Sequence, residues 1–236
     1  MSTAACQSIC QIHELLQLDT LYVIYEHFTK SPLVDQQKYC YLCSDLETAE
    51  QITTRLERYQ ILPKIKDFKR AEIPHLLHLI TDLLGASILF CTSDGTVKLE
   101  AGSPSELPWM TYHNTELLYL LTVFTQEQRM RSRQPEQYMI IQHYHDEIQK
   151  AMRYSEFLIP VAQERIVHTL SRLGEIAIPL YTDVYHLQQK YPVETAKAER
   201  CTFRKLLTMP TEHFIINPET IAYQLGKREV ARILQN

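Results

Sequence analysis

Runs of branched and aromatic residues alternate along this chain with stretches whose apolar positions recur every three or four residues. Runs of the first kind read as strands and stretches of the second kind as amphipathic helices. Ile9, Ile12, Leu15 and Leu16 predict a helix over 6–18, followed by strands over 21–25 and 38–43. Ser44, with Glu47 three residues on, predicts a capped helix to about residue 59, with Leu46, Ala49, Ile52 and Leu56 on one face. A short strand over 64–68 and a helix over 72–84 follow, the helix stopped by Gly85. A strand over 87–91, a turn at Asp94-Gly95 and a closing strand over 96–100 complete the set.

The same order then returns. Pro104 and Pro108 mark a linker over 103–114, and two helices are predicted over 115–131 and 136–154. Strands over 157–161 and 176–181, a helix capped by Thr182 and running to 191, and a strand over 201–203 come next. A helix over 204–209, strands over 214–216 and 220–225, and a last helix over 227–234 finish the copy. A repeat half a chain long means two similar folded units, not a solenoid of short periods. The expected architecture is α+β: two tandem mixed-sheet units with helices on one face, joined by a helical segment. The expected boundaries are 1–102, a linker over 103–114, and 115–236.

Composition narrows the function classes. With 45% apolar and 22% charged residues, the chain reads as an ordinary soluble globular protein. No stretch approaches the roughly 20 apolar residues of a membrane span, and the first ten residues lack a basic-then-apolar leader, so a cytoplasmic protein is expected. The six cysteines are widely spread, which suits reduced, buried thiols. A net charge of −4 provides no field for nucleic acid or anionic lipid. The five glycines are too scattered for a phosphate-cradling loop.

The second copy resembles the SseB amino-terminal domain family, named for an enhanced-serine-sensitivity phenotype. The resemblance rests on Phe157-Leu158-Ile159-Pro160-Val161, Pro179-Leu180-Tyr181-Thr182-Asp183, Phe203-Arg204-Lys205-Leu206-Leu207 and Ile216-Asn217-Pro218. It covers residues from about 115 onward. The first copy is a degenerate version: Ser44-Asp45 keeps the strand-to-helix corner, while Cys91-Thr92-Ser93 replaces the asparagine-proline step. Glu219 stands where the family often has glycine. The resemblance implies a cytoplasmic bacterial protein with no established catalytic activity, and it transfers no catalytic residue.

Candidate chemistry is sparse. Cys40 and Cys43 are spaced for redox or zinc work only on a turn; on a strand they point to opposite faces and pack in the core. His75 and His78 share a helix face with Asp82 one turn on, the best available form of a metal-dependent hydrolase. His143-Tyr144-His145-Asp146 reads as a solvated helix surface, and Arg129, Arg131 and Arg133 as cations at a helix end. Asp45 and Asp183 occupy equivalent corners and are expected to stabilise helix starts, and Asn217-Pro218 to shape a strand exit. The reading is a non-catalytic interaction protein binding another protein, with no catalytic, cofactor or metal residue assigned and no cofactor. The alternative is a metabolite sensor with its ligand between the two units.

Overall fold

The computed structural model describes residues 14–27, 29–57, 62–99, 114–129, 135–192 and 197–235. The expected linker, apart from Asn114, and most of the expected first helix lie outside them. The chain divides into two compact units, 1–106 with 126–135 and 107–125 with 136–236. The sequence reading differs in giving everything from 115 onward to the second unit. The fold is α+β.

In the first unit the apolar run around Val23 forms β1 (Thr20–Glu26), paired antiparallel along its whole length with β4 (Pro63–Lys69). On its other side β1 meets β3 (Tyr39–Cys43), which lies parallel to β5 (Ser87–Thr92), itself paired with β6 (Gly95–Leu99). Leu21, Val23 and Ile24 are all buried, so both faces of β1 are covered. Helix α1 (Leu46–Glu57) sets Ala49, Ile52 and Leu56 against Ile24, Cys43 and Cys91. Leu46, expected on that face, is 46% exposed because it sits in the first turn, beside the corner. Helix α2 (Ile73–His78) widens into a π turn over Leu79–Leu83, where Leu84 N–H reaches back five residues to Leu79 O. Gly85 then takes φ +59°, the left-handed stop its position predicts.

The second unit opens with α3 (Thr115–Gln128), of which residues up to 125 belong to it, and α4 (Pro135–Arg153). Residues 117–125 of α3 are all buried, so this helix has no solvent face there. Strand β7 (Glu156–Ala162) pairs antiparallel with β11 (Lys197–Thr202), as β1 does with β4. Leu158 bridges Tyr181, as Tyr22 pairs with Cys43. Strand β10 (Ile176–Leu180) runs parallel to β12 (His213–Ile216), which pairs with β13 (Tyr223–Gly226). Helices α5 (Val184–Lys190) and α6 (Lys227–Gln235) complete the unit, with a 3₁₀ turn at Phe203–Thr208 where an α-helix was expected. Every principal pairing of the first unit thus has a counterpart in the second.

Three two-residue strands escaped the sequence reading: β2 (Ser31–Pro32), β8 (Arg165–Ile166) and β9 (Thr169–Leu170). Two residues cannot show a period of two. These strands form one edge of each unit, and the registers equate them residue by residue. Tyr25 faces Pro32 as Val161 faces Ile166, and Leu33 N–H bonds Ile24 O as Val167 N–H bonds Pro160 O. Val34, which bridges Cys40, therefore corresponds to His168.

Candidate functional site

The carboxyl ends of adjacent parallel strands are where open α/β sheets place ligands. In the second unit β10 leads there into Thr182-Asp183, beside Asn217 at the exit of β12. Asp183, not Thr182, is the helix cap: its Oδ1 accepts His186 N–H at 2.9 Å. Its Oδ2 accepts Thr182 Oγ1–H at 2.6 Å and meets His186 Nδ1 at 2.7 Å. The first unit repeats this one-residue shift. Asp45 Oδ1 accepts Thr48 N–H at 2.8 Å, and Oδ2 accepts the hydroxyls of Ser44 at 2.8 Å and Thr48 at 2.9 Å. Thr48 instead of Glu47 stands third in the helix, so the expected capping box does not form. A carboxylate displaces the hydroxyl as cap because it can accept from the amide and both neighbouring side chains together.

Burial pushes the Asp183 carboxyl upward, but the charge of His186 and the hydrogen bonds from His186 and Thr182 outweigh it and hold it below the usual range. The Thr48 amide, then the Ser44 and Thr48 hydroxyls, lower Asp45 in the same sense. Asn217 locks the second corner. Its φ is +45°, its N–H bonds Leu180 O at 2.8 Å, and its Oδ1 accepts Thr182 N–H at 3.1 Å. Its Nδ2 donates to Thr182 Oγ1 at 2.8 Å, and its carbonyl accepts from Thr220 and Ala222. Alongside, Tyr181 Oη donates to Glu219 at 2.9 Å, and Lys190 lies 3.6 Å from the same carboxylate. Asp183, Thr182 and Asn217 are buried and bonded to one another, with no face turned to a substrate. The corner is a latch between two strands and a helix.

The other candidates are likewise absorbed by packing. Cys40 and Cys43 are both fully buried, three apart on β3. Cys43 lies in register with Cys91, and its hydrogen bond to that sulfur and its burial keep the thiol protonated. Burial pushes Cys201 up to about 11. His78 and Asp82 form a buried pair at 2.5 Å on the π turn, while His75 is exposed one turn earlier. Among the described residues no three His, Cys, Asp or Glu side chains gather to hold a metal. Tyr144 is buried, contrary to the solvated surface expected there, because it and Ile148 form the inward face of α4. Arg129 reaches to 3.9 Å of the buried Glu26, a specific partner beyond the helix end; Arg131 and Arg133 lie outside the described residues.

Where the polar candidates close, the two edges diverge. In the first unit, Gln126 lies over the outer edge of the β2 segment. Val34 N–H donates to its Oε1 at 3.4 Å, and its Nε2 donates to Pro32 O at 3.3 Å. Beside it Gln36 Nε2 donates to Glu127 Oε1 at 3.0 Å. Val34 is 3% exposed. In the second unit the corresponding His168 is exposed, and β8 and β9 each end their sheet. Among the described residues no side chain bonds the His168 amide. Leu170 and Ile176, paired across the hairpin, are 66% and 63% exposed, and Leu173 in the connecting turn is 80% exposed. Ile176 opens the strand expected over 176–181, and Leu173 beside Gly174 in an otherwise polar turn is a signal of exposure visible in the sequence.

The molecule is thus an α+β protein whose acid corners cap helices and whose second unit carries an exposed edge with three large aliphatic side chains beside it. No protein-family model and no curated protein matches the chain. Among solved structures, Tic22 from Plasmodium falciparum aligns over 95% of this chain and 96% of its own, with 14% identity and a TM-score of 0.24. Anabaena Tic22, described as a protein-transport protein, aligns over 84% of each chain with 12% identity and a TM-score of 0.22. Likeness at this level transfers neither fold nor function. Among the described residues no helix is long and apolar enough to cross a membrane.

Proposed function

We propose that this chain is a non-catalytic interaction protein of the bacterial cytoplasm, SseB-like in its second unit, which binds another protein through the β8–β9 edge and the hairpin beyond it. The observation that carries this reading is the hairpin itself: three large aliphatic side chains, 63–80% exposed, beside a terminal strand of the sheet. An exposed apolar edge invites association, and monomeric proteins ordinarily blunt such edges with charge, proline or a covering element. Full burial of a leucine or isoleucine contributes about 1.5–3 kcal/mol, so covering this hairpin supplies much of a micromolar affinity. The family motifs support the SseB-like part, since they fall on β7, the Asp183 corner, the 3₁₀ turn and the exit of β12.

The test is affinity capture with the full chain, comparing the native protein with Leu170→Asp/Leu173→Asp, followed by reconstitution with the purified partner. The expected result is a partner whose affinity falls at least about tenfold in the variant. A partner bound equally by both proteins, or none at all, overturns the proposal.

A further inference from the structure

We infer that the occupant of the β8–β9 edge is an α-helix of the partner protein that presents a carboxamide followed directly by a large aliphatic residue. This rests on the interaction reading above and adds what the partner must look like. The first unit supplies the template, because its equivalent edge is covered.

On a strand, the carbonyl of one residue and the amide two places on face the same side. In the first unit these groups are Pro32 O and Val34 N, turned away from β1, and the Gln126 carboxamide satisfies both at once. A primary carboxamide sets an N–H donor beside a carbonyl acceptor, as a backbone peptide does, so a helical Gln can stand in for a missing strand. The register carries those two groups onto Ile166 O and His168 N in the second unit. The same hydrogen-bond phase holds there: Asp35 N–H bonds Tyr39 O in one unit and Ser171 N–H bonds Glu175 O two steps further along the longer hairpin of the other.

Where the chemistry differs, it specifies the partner. Gln36, which meets Glu127, corresponds to Leu170. A helix seated on the second edge in the same way therefore sets against Leu170 the residue that follows its carboxamide. Glu127 would be desolvated there without a partner, whereas Leu or Ile would bury apolar area. Glu26, the buried partner of Arg129, corresponds to Ala162, so no cation is called for one turn end further on. Addition of a partner strand, the usual mode at sheet edges, needs a row of backbone groups and no particular side chain. The carboxamide requirement separates the two modes.

The experiment uses the full chain and hydrocarbon-stapled helical peptides spanning residues 115–129, read by fluorescence anisotropy. One peptide carries Glu127→Leu, a second keeps Glu127, and a third combines Glu127→Leu with Gln126→Ala. The Leu peptide is expected to bind at least about tenfold more tightly than either of the others. In the protein variant Leu170→Gln, the preference between Leu and Glu peptides is expected to reverse. Equal binding of all three peptides, or an unchanged preference in Leu170→Gln, overturns the helical occupant. If no peptide binds while the native partner is still lost on Leu170→Asp/Leu173→Asp, the helix is wrong and the docking face stands. If that partner binding is indifferent to the hairpin, the underlying interaction reading fails as well.

Discussion

At the scale of single residues, Asn217 does the most structural work for its size. It holds a left-handed backbone that Asn tolerates better than most residues and satisfies both the amide and the hydroxyl of Thr182. Asn217→Ala leaves the buried amide and hydroxyl of Thr182 without those partners and strains the backbone. A loss of about 3 kcal/mol is expected by urea denaturation, with the m-value unchanged; a loss below about 1 kcal/mol would show that the latch is dispensable. Asp183 contributes to acid stability. Its folded pKa lies below the ordinary 3.8, so its stabilisation is fully present above that value and disappears as pH falls through the folded value. Thermal melts of the native protein should therefore drop below about pH 4, and Asp183→Asn should start lower at pH 7 and lose less on acidification. Parallel pH curves for the two proteins would contradict this.

Among the elements, legibility followed length and period. Strands β1, β7, β10 and β12 were readable because each buries consecutive apolar residues, and β3 and β5 because 39–43 and 88–91 are unbroken apolar runs; Gly85 and Asp94-Gly95 punctuated them where the backbone required it. The caps slipped by one residue at both corners, since a hydroxyl next to a carboxylate offers two plausible acceptors and only geometry chooses between them. The π turn was hidden because its apolar spacing matches that of an α-helix. Strands β2, β8 and β9 were invisible for want of a period, and with them went the edge on which the proposed docking rests. The polar candidates could be named from sequence, but their closure into the Asp183 latch depends on Asn217, 34 positions away, through contacts that only the fold brings together.

For the whole molecule, the repeated order of signals becomes a repeated set of strand pairings, and the difference between the copies becomes informative. A covered edge in one unit and an open one in the other make each a control for the other within one chain. Charge plays a small part, since residues 103–236 are balanced and the exposed Arg172 and Glu175 of the hairpin offset one another. The proposed docking face lies where the second copy lacks the cover that Gln126 gives the first.

Residue-resolved hydrogen exchange on the isolated full chain tests that asymmetry most directly. The amide of His168 should exchange within about tenfold of an unstructured peptide, while that of Val34, bonded to Gln126, should be slower by at least about a hundredfold. Equal protection of the two amides would mean that the second edge is already closed, and the docking account would fail.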